Sequence, residues 1–303
     1  MAFHEPSTET CRRLSAAGLD PHGVAALVRA AIDEDLAGGI DVTSSATVPA
    51  DQGAVATFGA RGAGTLAGLA VVAAVVDVVC GPDARFQDHR ADGERVVAGD
   101  VVASVSGSTR SILLAERAAL NLLCHLSGVA THTRRWADAL EGTGARVRDT
   151  RKTLPGLRAL QKYAVRCGGG VNHRMSLSDA ALVKDNHIAA AGGVAEAFAA
   201  VRALATDIPV EIEVDSLDEL REALAAGADV VMLDNFSLDD MRRAVDLRAL
   251  MGAAVVLEAS GGLTLDLARA VGETGVDYIA VGELTHSVRV LDVGLDVTSI
   301  DRA

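Results

Sequence analysis

Two rhythms of apolar and polar positions divide the chain. Up to about residue 125, helical and alternating segments are mixed without a repeat. Residues 21–36 have helical apolar spacing closed by Gly38-Gly39, and Asp41-Val42-Thr43-Ser44 reads as a cap or turn. Residues 54–60 alternate like a strand, the apolar run 66–80 reads as a buried helix, and 85–89 read as a short strand. Residues 95–106 predict two short strands around Gly99-Asp100, which is a hairpin pattern. This mixture predicts an N-terminal α+β domain of the open-faced sandwich kind. Residues 111–140 predict a long helix broken near Gly128.

From about residue 145 the rhythm becomes strand, helix, strand. Short apolar runs fall at 145–147, 180–183, 210–214, 229–233, 253–257 and 276–281, with helical patterns at 217–226, 238–250 and 263–271 among them. Repeated βα units imply a parallel sheet, and this number favours a closed or nearly closed α/β barrel. The expected division is 1–125 for the first domain, 126–288 for the barrel and 289–303 for a C-terminal segment.

In such barrels the reacting groups lie at the C-terminal ends of the strands. The residues following or ending the apolar runs are Arg151-Lys152, Lys184, Glu213, Asp234, Ser260-Gly261-Gly262 and Gly282, one polar group or turn per strand. Glu211 and Glu213 point to one side of their strand and need lysines or a metal as partners. Ser260-Gly261-Gly262 before the predicted helix at 263, and Gly282 with His286, offer backbone N–H groups to phosphate.

Charge sharpens this picture. The net charge is −13, which argues against nucleic-acid binding, and the expected partners are small molecules. Of 28 basic residues only three are lysines, Lys152, Lys162 and Lys184, and all lie between Thr150 and His187. Arg151, Lys152, His173, Arg174 and Lys184 there form a candidate site for a ligand carrying carboxylates and phosphates. Arg158, Lys162 and Arg166, at i, i+4 and i+8, read instead as an exposed stripe on a helix. Arg117 falls on the stripe Leu113, Leu120, Cys124, on or beside an apolar face, and needs a partner. Cys11, Cys80, Cys124 and Cys167 show no metal or disulfide spacing, so a cytoplasmic setting is expected. No signal peptide is expected, and the apolar run at 66–80 is shorter than the roughly 20 residues of a membrane span.

The motifs TRKT, GGGVNHR, VKDNH, EIEVD, MLDNF and SGG, in this order, resemble the quinolinate phosphoribosyltransferase family. The resemblance runs from about Gly39 to the C-terminus. It implies an irregular TIM-like barrel and a C-terminal segment returning to the first domain. It implies transfer of phosphoribosyl from phosphoribosyl pyrophosphate to quinolinate with decarboxylation, giving nicotinate mononucleotide, pyrophosphate and CO2 for NAD biosynthesis. Mg²⁺ is the expected cofactor, held by Glu213 and Asp234 directly or through water. Quinolinate would meet Arg151, Lys152, His173, Arg174 and, across a homodimer interface, Arg117 of a second copy. Lys152, Lys184, Glu213 and Asp234 would serve catalysis, and Ser260, Gly261, Gly262, Gly282 and His286 the phosphates.

Glu283 in VGELTHS departs from the family pattern, where a small residue is expected. Other readings stand beside this one. They are the paralogous phosphoribosyltransferase-like protein of molybdenum transport, a Schiff-base aldolase using Lys184, and an anion-binding barrel without chemistry. Glu213 and Asp234 could also be simple salt-bridge partners of Lys152 and Lys184.

Overall fold

In the computed structural model, which describes residues 3–300, the two rhythms become two compact units. One holds the chain up to His132, Ala159–Gly169 and the segment from Val288; the other holds Thr133–Arg158 and Gly170–Ser287. These units are not contiguous in sequence, since all but the first residue of the helix Arg158–Cys167 is counted with the first unit.

The first unit opens with three helices, α1 (Thr8–Ala16), α2 (Pro21–Leu36) and α3 (Val42–Thr47). Asp20 accepts the His22 and Gly23 N–H groups at the start of α2, and Pro21 fits the first turn, where no N–H is needed. Asp41 caps α3 in the same way through Ser44 N–H, so the expected cap or turn is a short helix. The strands are β1 (Gly53–Ala60), β2 (Gly64–Thr65), β3 (Arg85–Asp88), β4 (Arg95–Val96) and β5 (Val101–Ser108).

The C-terminal strand Val293–Ile300 pairs antiparallel with β1, giving a four-stranded sheet in the order C-terminal strand, β1, β5, β3. Alternation in β1 buries Ala54, Ala56, Phe58 and Ala60. Helix α4 (Leu69–Cys80) is apolar on nearly every face and almost wholly buried, and it packs against β3 and β5. Asp92 caps it, accepting Gly68 N–H at 3.0 Å and Leu69 N–H at 3.2 Å. The Tyr163 hydroxyl donates to the same carboxylate at 2.5 Å.

Three expectations change here. Residues 95–106 do not form a hairpin: β4 pairs with β2, and β5 pairs with β1 and β3. The turn at Gly99-Asp100 is real, since Asp100 N–H bonds Val97 carbonyl, but strands farther away in sequence capture both arms. Helix α5 (Thr109–Ala139) is unbroken. Gly128 is there for close approach, because a Cβ on it would lie 2.6 Å from the Arg289 carbonyl oxygen and 2.9 Å from Val290 Cα. Finally, on α6 (Arg158–Cys167), Lys162 is fully buried while Arg166 is exposed, so the three cations are no common solvated stripe. Helix α5 is long and apolar enough to cross a membrane by composition, but more than half of that apolar window is buried inside the protein.

The second unit is a parallel sheet of β6 (Arg146–Arg148), β7 (Ala181–Val183), β8 (Val210–Val214), β9 (Val230–Asp234), β10 (Val256–Ser260) and β11 (Tyr278–Ala280). They lie in the order β6-β11-β10-β9-β8-β7, extended by a bridge from Arg148 to Val171. The helices are α7 (Asp185–Ala191), α8 (Val194–Leu204), α9 (Leu217–Ala226), α10 (Leu238–Leu250), α11 (Ala268–Gly272) and α12 (Glu283–His286). This is an irregular α/β barrel, with the expected strand at 210–214 and helices at 217–226 and 238–250 in place.

Gly128→Ala should lower stability by about 1–3 kcal/mol from overpacking, although alanine favours an open helix by about 1 kcal/mol over glycine. Urea unfolding of the variant checks this; equal or greater stability would contradict the close packing of residues 289–290 on α5.

Candidate active site

Period two along the barrel strands sends alternate residues inward, in two layers. The upper layer lines a cavity of about 480 Å³ at the C-terminal strand ends. Its wall contains Thr150, Arg151 and Lys152 after β6, Lys184 after β7, Glu213 on β8, Asp234 ending β9, Ser260 ending β10 and Ala280 ending β11. His173 and Arg174 complete it. Eight of the residues expected from the sequence thus meet in one place: Arg151, Lys152, His173, Arg174, Lys184, Glu213, Asp234 and Ser260.

Each is held by local chemistry. Thr150 Oγ1 accepts Lys152 N–H at 3.0 Å, and Thr285 Oγ1 donates to the Lys152 carbonyl at 2.8 Å. Gly282 leaves room for the lysine stem, since a Cβ there would sit 3.0 Å from Lys152 Cδ and 3.2 Å from His286 Nε2. Lys184 Nζ pairs with Glu213 Oε2 at 2.7 Å. His187 Nδ1 accepts Lys184 N–H at 3.0 Å, so this histidine caps α7. Asn235, at φ +56, donates from Nδ2 to Asp234 Oδ2 at 2.7 Å and from its backbone to the Ser260 carbonyl at 3.0 Å. Gly261, at φ +92, lies against Asn235 where any Cβ would collide. Arg174 donates from Nη1 to the Ala180 carbonyl at 3.0 Å, and Asp179 closes the intervening loop by accepting Met175 and Ser176 N–H groups.

The wall is unbalanced in charge. Burial first, and then the nearby Arg151 charge, push the Arg174 guanidinium below its ordinary pKa. Arg151 Nε is itself buried without a hydrogen-bond partner. Two repelling guanidiniums, one with an orphan donor, are the complement of an anion.

Gly261, Gly262 and Gly282 lie in the turns after β10 and β11, His286 ends α12, and none of the four lines the cavity wall. The helix expected from residue 263 is a 3₁₀ turn, Leu265–Leu267, followed by the five-residue α11, and α12 has four residues. Dipoles of such short helices add little, so any phosphate binding falls to the turn N–H groups themselves. Arg117 lies in the first unit, exposed beside another cavity of about 730 Å³ with Arg61, Glu116, Asn121 and Arg289. Glu283 is half-buried at the start of α12.

Beneath the cavity lies a layer that the sequence reading mostly missed. Arg148 Nη1 pairs with Glu258 Oε2 at 2.7 Å; His173 Nε2 lies 2.7 Å from Glu211 Oε2 and 3.8 Å from Glu258 Oε1. Glu211 is 3% exposed and Glu258 is 0% exposed. Asp149, also fully buried, accepts His173 N–H at 2.8 Å and Asn172 Nδ2 at 2.6 Å. Glu211 therefore meets neither lysine; its partners are His173 and Glu258. The His173, Glu211 and Glu258 ligand atoms lie within 4.8 Å of one another, close enough for a metal. Arg148 already supplies the cation there, so this layer is an ionic core.

The fold and the cavity define a class: a parallel α/β-barrel enzyme acting on a substrate rich in carboxylate and phosphate. Residues 41–127 match the family model for the quinolinate phosphoribosyl transferase N-terminal domain, and residues 129–296 that for its C-terminal domain. The chain belongs to the quinolinate phosphoribosyltransferase family. It is 51% identical over 271 residues to the carboxylating nicotinate-nucleotide pyrophosphorylase of Mycobacterium leprae, covering 89% of this chain and 95% of that one. It is 42% identical to the probable enzyme of the same name from Bacillus subtilis, over 88% of this chain and 90% of the relative. The solved nicotinate-nucleotide pyrophosphorylase of Francisella tularensis superposes with a TM-score of 0.87 at 40% identity, over 91% of this chain and 96% of that one.

Burial pushes the carboxyls of Glu211 and Glu258 up to about 7 from 4.5, helped for Glu258 by the Glu211 charge. Folding therefore takes up proton between those values. The stability this supplies is complete below about pH 4.5 and is lost as pH rises through about 7. Wild-type stability should fall across this window by an amount on the order of a few kcal/mol, and Glu258→Gln should flatten the fall. Urea unfolding at a series of pH values checks this, and identical pH slopes for both proteins would contradict it.

Proposed function

We infer how this cavity carries out the family's reaction. The chain is a decarboxylating phosphoribosyltransferase of NAD biosynthesis: phosphoribosyl pyrophosphate and quinolinate give nicotinate mononucleotide, pyrophosphate and CO2. The observation that carries the substrate placement is the Arg151 and Arg174 pair. Their mutual repulsion and the orphan Arg151 Nε are relieved by a pyridine 2,3-dicarboxylate, whose planar acids match forked guanidinium donors. Lys152 adds a point charge beside them. His173 and Arg174 form the far wall, His173 chiefly by fixing the Arg174 backbone. Keeping both arginines and the histidine in one wall favours this substrate over the molybdenum-associated paralogue. The ion pair of Lys184 with Glu213 favours a charged ammonium over a Schiff-base nucleophile.

Lys184, Glu213 and Asp234 then face the ribose and pyrophosphate. Glu213 and Asp234 suit Mg²⁺: they are half-buried carboxylates on the same wall, the sparse set that such an ion shares with phosphate oxygens. When bound, the ion neutralises charge on the departing pyrophosphate. Glu213 and Asp234 also stabilise positive charge developing at the anomeric carbon. Ser260 and the turns at Gly261-Gly262 and Gly282, with His286, supply phosphate donors. The rate gain comes from positioning and preorganised charge. Once the nitrogen is ribosylated, the pyridinium stabilises the carbanion left when the neighbouring carboxylate departs as CO2; a solvent proton then takes its place on the ring carbon, so no protein nucleophile is required.

A homodimer in the cytoplasm completes this reading. Arg117 of a second copy is the remaining cation for a carboxylate. Its exposure, beside Arg61 and Arg289, supports such an outward role. Four free cysteines fit a reducing compartment.

Carboxyl-labelled quinolinate should release CO2 only with phosphoribosyl pyrophosphate and Mg²⁺ both present. Arg151→Ala or Arg174→Ala should weaken quinolinate binding by about tenfold or more, with a smaller loss for phosphoribosyl pyrophosphate. Calorimetric titration of each ligand separately checks this, and equal losses for both would discard the assignment.

A further inference from the structure

We propose that Glu211 and Glu258 are positioning residues of the quinolinate site: hydrogen-bonded carboxyl to carboxyl beneath it, they hold the His173 ring in the one tautomer that keeps the Arg174 backbone in place. This rests on the reading of the cavity as the quinolinate site.

The order of donors and acceptors follows from the contacts. His173 Nδ1 lies 2.7 Å from the Arg174 N–H, which can only donate, so Nδ1 carries no proton. A neutral ring must then carry its proton on Nε2, which faces Glu211 Oε2 at 2.7 Å, angled between that carboxyl and Glu258. The other Glu258 oxygen, Oε2, is taken by Arg148. Two oxygens remain, Glu211 Oε1 and Glu258 Oε1, both buried and with no other donor. The two carboxyls are near neighbours, with ligand oxygens within 4.8 Å of each other, and adjacent acceptors sealed from water are satisfied by a hydrogen between them. Donation thereby runs inward from both ends, from Arg148 to Glu258 and from Arg174 through His173 to Glu211, and the carboxyl hydrogen closes the middle.

The consequence reaches the ligand. A His173 ring turned or protonated on Nδ1 would set N–H against the Arg174 N–H, and the backbone of Arg174 would have to move. Its side chain is also tied to the Ala180 carbonyl, so the residue is held at root and tip. Positioning to within a fraction of an ångström is what a bidentate carboxylate contact requires. Asp149 supports the same turn from the other side, through the His173 N–H.

Glutamine replacements separate this role from general packing. In Glu211→Gln or Glu258→Gln the amide supplies the hydrogen between the pair and the other contacts survive. In the double variant two NH2 groups face each other, and one must turn away from His173 or Arg148 to avoid the other. Each single variant should bind quinolinate within about threefold of wild type, and the double variant should lose about tenfold or more. Binding of phosphoribosyl pyrophosphate should be unchanged in all three, by calorimetry on chains shown folded by thermal unfolding. A double variant that binds quinolinate like the singles overturns the proposal, as does a double variant that loses both ligands equally. If the double variant does not fold, Glu211→Met serves: selective loss of quinolinate affinity supports the role, and unchanged affinity overturns it. A wild-type chain that fails to bind quinolinate overturns the reading of the site, and this inference with it.

Discussion

Ionisable groups sealed inside a parallel barrel must satisfy one another, and the rest of this structure depends on how Arg148, His173, Glu211 and Glu258 do so. Barrel interiors are usually filled by branched apolar side chains. Here the inward positions of β6, β8 and β10 carry Arg148, Glu211 and Glu258. Removing one member of such a set would leave a buried charge or orphan group, typically destabilising by about 3–5 kcal/mol. The ion pair itself is weak evidence for stability; its value lies in geometry, since each group's orientation is dictated by the next.

That constraint is passed upward by strand parity. Glu211 below and Glu213 above share one face of β8, as Glu258 and Ser260 share one face of β10. An inner layer of ion-paired groups thus fixes the side from which the outer layer faces the cavity. The outer layer, by contrast, is left unsatisfied: Arg151 and Arg174 repel, and Arg151 Nε has no partner. A stiff, balanced floor beneath an unbalanced wall is a preorganised electrostatic site, whose dipoles need little rearrangement when an anion arrives.

Much of this was legible in the sequence, and what was missed has a common cause. The helices Pro21–Leu36, Leu217–Ala226 and Leu238–Leu250 have the bounds their periodicity predicts because each buries one regular face, and the strand Val210–Val214 because it is buried on both. The strand-end rule assembled most of the cavity wall without knowing the fold in detail. Glu258 was passed over because a lone acid in an apolar run reads as its end, whereas β10 runs three residues further, to Ser260. Its partner Arg148 is 110 residues away, and no local pattern encodes that pairing. The same non-locality took the arms of Gly99-Asp100 into different sheets and put Lys162 in the interior. Gly128 looked like a helix breaker, when its missing side chain serves a segment 161 residues later.

The most direct test of this account is the protonation of the His173 ring, read from side-chain nitrogen-15 resonances and assigned by their loss in His173→Gln. The ordered floor predicts one neutral tautomer, Nε2 protonated and Nδ1 bare, below about pH 7, where the carboxyl pair keeps its hydrogen. A ring protonated on Nδ1, on both nitrogens, or exchanging freely between tautomers would contradict it, for the Arg174 backbone would then have no fixed acceptor to hold it at the cavity wall.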